Sequence, residues 1–324
     1  MADRRNTLTL VVYLGIVLFI IVFGLYTSRY VVHRPWTARD RVAAAAVDGV
    51  CYVIGGTNPD GELLDAILAI DPATRRANTV GHLSTPRFGV AAAGCSGGIF
   101  VLGGEDRSGY LDEIVRFDPS TKKSQLVGRL PSPRAFGAAA AVAGRIYYIG
   151  GWDGHSRLDE IVEFNPATGT AVVIGHLSSA REFAAVAASG DKLYVIGGED
   201  DSTAPIHEIV DVDPATGEIV RTGTLPEPVS RAAAASTGKA IYVFGGWNKG
   251  SSDTVVVVDP TTLSSSEVTT LPFTGADLAA VACSGKIYLF GGADPKFHQQ
   301  IRIVEFDPVS RNIVYVHLRH FLWW

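Results

Sequence analysis

Arginines recur along this chain at nearly the same point of a repeated phrase. Arg39, Arg87, Arg134 and Arg181 each stand sixteen residues before a Gly-Gly pair, and Arg231 stands fourteen before another. Guanidinium groups gathered round one opening would hold carboxylates, sugar acids or acidic protein loops through forked hydrogen bonds. The same recurrence also fits ion pairs that belong to the repeat itself, because Asp60, Asp106, Asp153 and Asp200 follow the Gly-Gly pairs. Residues that break the repeat are the other candidates. Trp152 and Trp247 follow Gly-Gly directly, where other copies have Thr57, Glu105, Glu199 and Ala293. Two indoles there would form a stacking platform for a sugar or a peptide, or equally a cover over a sheet edge.

Other chemistries find no residues to carry them. The eight histidines form no metal-spaced cluster, and no Gly-x-Ser-x-Gly elbow or phosphate loop occurs. Cys51, Cys95 and Cys283 lie in apolar runs with no Cys-x-x-Cys spacing, which reads as small buried hydrophobes. A net charge of −5 without any basic run argues against a nucleic-acid partner. No catalytic residue, metal or cofactor is expected.

The elements that must position these residues follow from the repeat. Gly-Gly closes a strand-like run at Gly55, Gly103, Gly150, Gly197, Gly245 and Gly291, at intervals of 48, 47, 47, 48 and 46 residues. Each pair follows an apolar run such as Leu193-Tyr-Val-Ile196, and each such run follows an Ala-rich one such as Ala138-Ala-Ala-Ala-Val142. A third strand ends at Asp71-Pro72, Asp118-Pro119, Asn165-Pro166, Asp213-Pro214, Asp259-Pro260 and Asp307-Pro308, and a weaker fourth follows. Small residues suit an innermost strand where sheets converge. Asp or Asn before proline makes a turn, the side chain bonding nearby backbone and proline presetting φ. Each copy is thus a four-stranded sheet that covers its faces only by packing beside its neighbours.

This pattern resembles the kelch family. The matching residues are the six Gly-Gly pairs, the aromatic three residues before each (Tyr52, Phe100, Tyr147, Tyr194, Tyr242, Tyr288), and the acid before the Asp/Asn-Pro turn at Glu113, Glu160 and Glu208. The resemblance covers about residues 38–316 and implies an all-β, six-bladed propeller. One departure stands out. Kelch repeats usually carry a Trp in the fourth strand, where this chain has Val80, Val127, Ile174, Thr222, Val268 and Val316, so aliphatic contacts are expected there. The resemblance also implies that the face bearing the loops after Gly-Gly and between blades binds ligands. Copper oxidases and sialate mutarotases occur among such propellers. No copper constellation is visible, and a mutarotase would need an arginine and an acid at the mouth.

The N-terminal region reads differently. No charged residue occurs from Asn6 to Ser28, long enough for a helix across a bilayer. A cleaved signal peptide is the rival, but Gly24-Leu-Tyr-Thr-Ser28 is a poor cleavage site. The expected organisation is a tail over 1–7, a transmembrane helix over 8–28, a linker over 29–38, the propeller over 39–316, and an aromatic tail over 317–324. With Arg4 and Arg5 before the span and Arg29 and Arg34 after it, orientation leans to an extracytoplasmic propeller on signal-anchor grounds. Ring closure brings both propeller ends to the loop face, and a linker of at most about 33–36 Å would tether that face near the bilayer. Trp323 and Trp324 would then meet the membrane interface or a partner groove.

The sequence therefore points to a membrane-anchored, non-catalytic interaction module, an accessory subunit of a membrane protein complex. Its partners would be the bilayer through 8–28 and a membrane protein. The alternative is a cell-envelope enzyme or binding protein acting on a carbohydrate or sugar acid.

Overall fold

The computed structural model describes residues 38–294, 296 and 303–318. Segment 8–28 and the tail residues Trp323 and Trp324 lie outside the described residues. Among the described residues no helix is long and apolar enough to cross a membrane.

Six four-stranded antiparallel sheets follow one another along the chain, each a simple meander in sequence order. Blade 1 shows the pattern. Its innermost strand is Ala43–Val47, followed by Val50–Ile54, Ala66–Asp71 and Arg76–His82. Blade 2 adds a short hairpin, Glu105–Asp106 with Gly109–Tyr110, between its second and third strands. The turns behave as their residues require. Asp71 Oδ1 accepts the backbone N–H groups of Ala73 and Thr74 at 2.9 and 3.2 Å, and Asp118, Asp259 and Asp307 repeat the arrangement.

The core is divided rather than central. Six hydrophobic clusters each straddle a pair of adjacent blades. The last joins blade 1 (Val42, Cys51, Val53, Leu68, Ile70) to blade 6 (Ala279, Cys283, Tyr288, Phe290, Ile303) and closes the ring. Among the described residues no strand is exchanged between blades at that closure, since each sheet is built from consecutive strands.

The aliphatic contacts expected at the fourth strand are present, with Val80, Val127, Ile174, Val268 and Val316 each packing against a cluster between blades, and at two boundaries an aromatic ring joins them. The third strand of the following blade supplies that ring, and glycine in the fourth strand makes room for it. A Cβ on Gly81 would lie 2.5 Å from the Phe117 ring, and one on Gly128 would lie 2.6 Å from Phe164. Phe117 also meets Tyr52 across the blade 1–2 boundary at 6.1 Å, and Phe164 meets Phe100 at 5.9 Å across the next. At these two boundaries the neighbouring blade supplies the ring, whereas Gly175 meets Gly217 and Gly223 meets Leu263.

Candidate functional site

The segment entering each innermost strand builds the channel mouth. Fourteen residues before each Gly-Gly stand Arg41, Gly89, Phe136, Phe183, Arg231 and Asp277. All six have left-handed backbone, with φ of 50, 61, 60, 55, 54 and 56°. Only one is glycine, so the other five carry the strain of that region. What compensates is a relay of backbone hydrogen bonds from blade to blade. The N–H of Gly89 donates to Arg41 at 3.2 Å, Phe136 to Gly89 at 2.9, Phe183 to Phe136 at 2.8, Arg231 to Phe183 at 3.0, and Asp277 to Arg231 at 3.0. One step outward, the residue before each of these pairs with the residue after Gly-Gly: Asp40 with Thr57, Phe88 with Glu105, Ala135 with Trp152, Glu182 with Glu199, and Ser230 with Trp247.

This geometry divides the five arginines. Arg87, Arg134 and Arg181 are fully buried and Arg39 nearly so, which removes them from any ligand-holding ring. In Arg87, Arg134 and Arg181 the backbone belongs to one blade and the side chain to the next. The Arg87 carbonyl accepts the Gly56 N–H of blade 1 at 3.0 Å, while its guanidinium reaches Glu113 of blade 2 at 2.6 Å. Arg134 reaches Glu160 and Arg181 reaches Glu208, both at 2.7 Å. These arginines are staples between blades. Arg231 belongs to the other register, with Arg41, and does face the mouth. The offset of fourteen against sixteen was the signal that separates them.

Around the mouth, charge is compensated pair by pair. Arg231 lies 3.1 Å from Glu199 and 3.7 Å from Asp277, with its guanidinium 3.7 Å above the Phe183 ring. Arg41 lies 3.9 Å from the same Asp277 and stacks over Phe88. Arg157 reaches Glu182 at 2.8 Å and sits over the Trp152 ring at 5.7 Å. Burial pushes the carboxyls of Asp277, Glu182 and Glu105 above the usual carboxylate range, although arginines next to each pull the other way. A cavity of about 410 Å³ opens here, lined by Arg41, Glu199, Arg231, Trp247, Asp277 and Asp294.

Trp247 thus joins the cavity, whereas Trp152 stands apart in blade 3 beneath Arg157. Arg41, Arg157, Glu182, Glu199 and Asp277 were not singled out from sequence, because their partners come from other repeats. Among the described residues, no three His, Cys, Asp or Glu side chains are grouped to hold a metal ion.

With the blades and mouth in place, comparison with known proteins decides the family. The sequence model of the KLHDC2/KLHL20/DRC7 Kelch-repeats domain matches residues 41–203, and that of the Kelch motif matches residues 228–272. The chain belongs to the kelch-repeat family. An F-box/kelch-repeat protein of Arabidopsis thaliana is 39% identical over 68 residues, which is 21% of this chain and 18% of that protein. The match therefore spans less than a fifth of that relative's length. The solved structure of YjhT superposes with a TM-score of 0.74, covering 87% of this kelch chain and 99% of its own, at 15% identity. That likeness is one of fold. The family and fold support a protein-interaction module.

Proposed function

We propose that this kelch propeller is a non-catalytic interaction module, held at a membrane through segment 8–28 and serving as an accessory subunit of a membrane protein complex. The observation that carries the interaction reading is the compensated mouth. Arg41, Arg157 and Arg231 already have Asp277, Glu182 and Glu199 as partners. A surface of this kind favours a polypeptide that brings its own positive and hydrogen-bonding groups. The membrane part of the reading rests on the uncharged run from Asn6 to Ser28. The test is purification of the full chain in detergent, with mass spectrometry of what accompanies it. A stoichiometric membrane protein is expected, and its loss on Glu199→Gln places the contact at the mouth. A strictly solitary protein in native membranes overturns the reading.

One observation favours a second reading, an enzyme or binder for a sugar acid. Asp277 holds its proton more tightly than an ordinary carboxyl and stands beside Arg41 and Arg231. That is an acid next to groups able to hold a carboxylate. Against it, a sugar-acid carboxylate would compete with Asp277 and Glu199 for the same guanidinium groups. Saturable binding of a sialic acid, lost in Arg231→Ala, would decide for this second reading.

A further inference from the structure

Blades 2, 3 and 4 each keep a slot filled by an arginine. In blade 2 the Arg87 Nη1 donates to the Gly103 carbonyl at 3.4 Å, Nη2 reaches Glu113 at 2.6 Å, and Nε donates to the Thr85 carbonyl at 3.3 Å. In blade 4 Arg181 repeats this with the Gly197 carbonyl at 3.3 Å, Glu208 at 2.7 Å and the Ser179 carbonyl at 3.3 Å. In blade 3 Arg134 meets Glu160 at 2.7 Å and the Ser132 carbonyl at 3.1 Å, so the carboxylate and the residue two before the arginine wall all three slots, and the Gly-Gly carbonyl is hydrogen-bonded in blades 2 and 4.

Blade 5 keeps the Gly-Gly turn but lacks both the arginine and the carboxylate that faces it. Val229 stands sixteen residues before Gly245 and so holds the arginine's position. Thr254 holds that of Glu113, since the Gly245 N–H donates to its carbonyl at 2.9 Å as Gly103 does to Glu113 at 2.9 Å. Glu227 holds that of Thr85 and Ser179. The backbone follows the change: the fourth strand of blade 4 runs on to Val229, which pairs with Ile206. What results is a cavity of about 300 Å³ lined by Glu227, Val229, Gly245, Ser252, Thr254 and Glu267. In blade 6, where Gly275 takes the arginine's position, the Phe273 ring packs against the cluster between blades 5 and 6.

We propose that the blade 5 cavity is a binding site for a guanidinium group, presented by an arginine side chain of a partner polypeptide. The site is shaped by the repeat for that group, as the sister blades show by holding one there. Gly245 lines the cavity, at the position of Gly103 and Gly197 in the filled slots. The carboxylate removed at Thr254 is replaced by two others, Glu227 and Glu267, which are exposed at the rim, where they attract a cation from solution. Leu225, Val229 and Val256 give the apolar wall that an arginine stem packs on. A lysine ammonium lacks the planar fork that spans a carbonyl and a carboxylate together. This site adjoins the mouth cavity at Ser251 but does not rest on the reading of the mouth.

The experiment uses the full chain in detergent, titrated with L-arginine, with the peptide acetyl-Gly-Arg-Gly-amide and with its Lys counterpart, read by calorimetry. The arginine peptide is expected to bind at least about tenfold more tightly than the lysine peptide. The double variant Val229→Arg with Thr254→Glu fills the slot in cis, and is expected to lose the binding and to raise the Tm. Glu227→Gln changes only an exposed side chain and should weaken the peptide about threefold to tenfold. Equal affinity for the two peptides, or binding retained in the filled variant, overturns the site. Free arginine bound as tightly as the peptide overturns the polypeptide source.

Discussion

Cys51 of blade 1 and Cys283 of blade 6 lie together inside the cluster that closes the ring. The interaction of the two thiols lowers the Cys283 pKa to about 7, while the same interaction and burial push the Cys51 thiol far up. The first ionisation of the pair is therefore easier folded than unfolded, and the second harder. Stability from Cys283 is present above the unfolded thiol value of 9.0 and is lost as pH falls through about 7. Cys51 acts oppositely once an unfolded thiol would ionise. Denaturant unfolding should show stability rising from pH 7 towards 9 and turning down beyond it. In Cys51→Ala the rise should vanish, with an added loss of about 1–2 kcal/mol from the cavity. A pH profile unchanged by that substitution would sink the coupling.

The buried staples and the mouth arginines should part company under mutation. Arg181→Ala leaves the Glu208 carboxylate and the Gly197 carbonyl without their donor inside a blade boundary. The expected loss is about 3 kcal/mol. Arg231→Ala, at a partly exposed mouth position, should cost only about 1 kcal/mol. Equal losses by thermal or urea unfolding would contradict the separation of the two registers.

Asp277 makes stability depend on pH in the acid range. Its folded pKa lies above 3.8 because burial disfavours the charged form. The folded state thus keeps this proton longer than the unfolded chain, so the Asp277 contribution falls as pH rises from about 3.8 through the folded value. Asp277→Asn removes that fall. The Tm difference between pH 7 and pH 4 should shift in favour of pH 7 in the variant, and an identical difference would refute the assignment.

Gly81→Ala and Gly128→Ala should each destabilise by about 1–3 kcal/mol, because the new methyl lands on the Phe117 or Phe164 ring. Pairing Gly81→Ala with Phe117→Leu should recover part of the loss. A neutral Gly81→Ala in chemical denaturation would mean that the ring does not lie on that strand.

How far the sequence reveals this molecule depends on how far apart the interacting residues are. Features within one repeat are legible: Gly-Gly endings, Asp-Pro turns and Ala-rich inner strands each follow from local backbone demands, and six copies in phase make the architecture plain. Features between repeats are not. Arg231 invites alignment with Arg181 because both are arginines, yet Val229 is the true counterpart. Phe136 and Phe183 adopt a left-handed backbone that aromatic residues rarely take unaided, and it is the relay of hydrogen bonds between blades that holds them there. The pairing of Arg157 with Glu182 spans a blade boundary that no local pattern marks. The ring seated on Gly81 was missed for the same reason, since its aromatic comes from the next copy.

The closure between blades 1 and 6 has a consequence during synthesis. Val53 and Leu68 emerge from the ribosome early, but Phe290 and Ile303, which cover them, are separated from them by more than two hundred residues of chain. At about 5–20 residues per second, that apolar face waits on the order of ten seconds or more for its partner. A nascent chain in this interval offers other chains an unpaired flank, so chaperone contact should concentrate on blade 1, and truncations that stop short of blade 6 should aggregate through it.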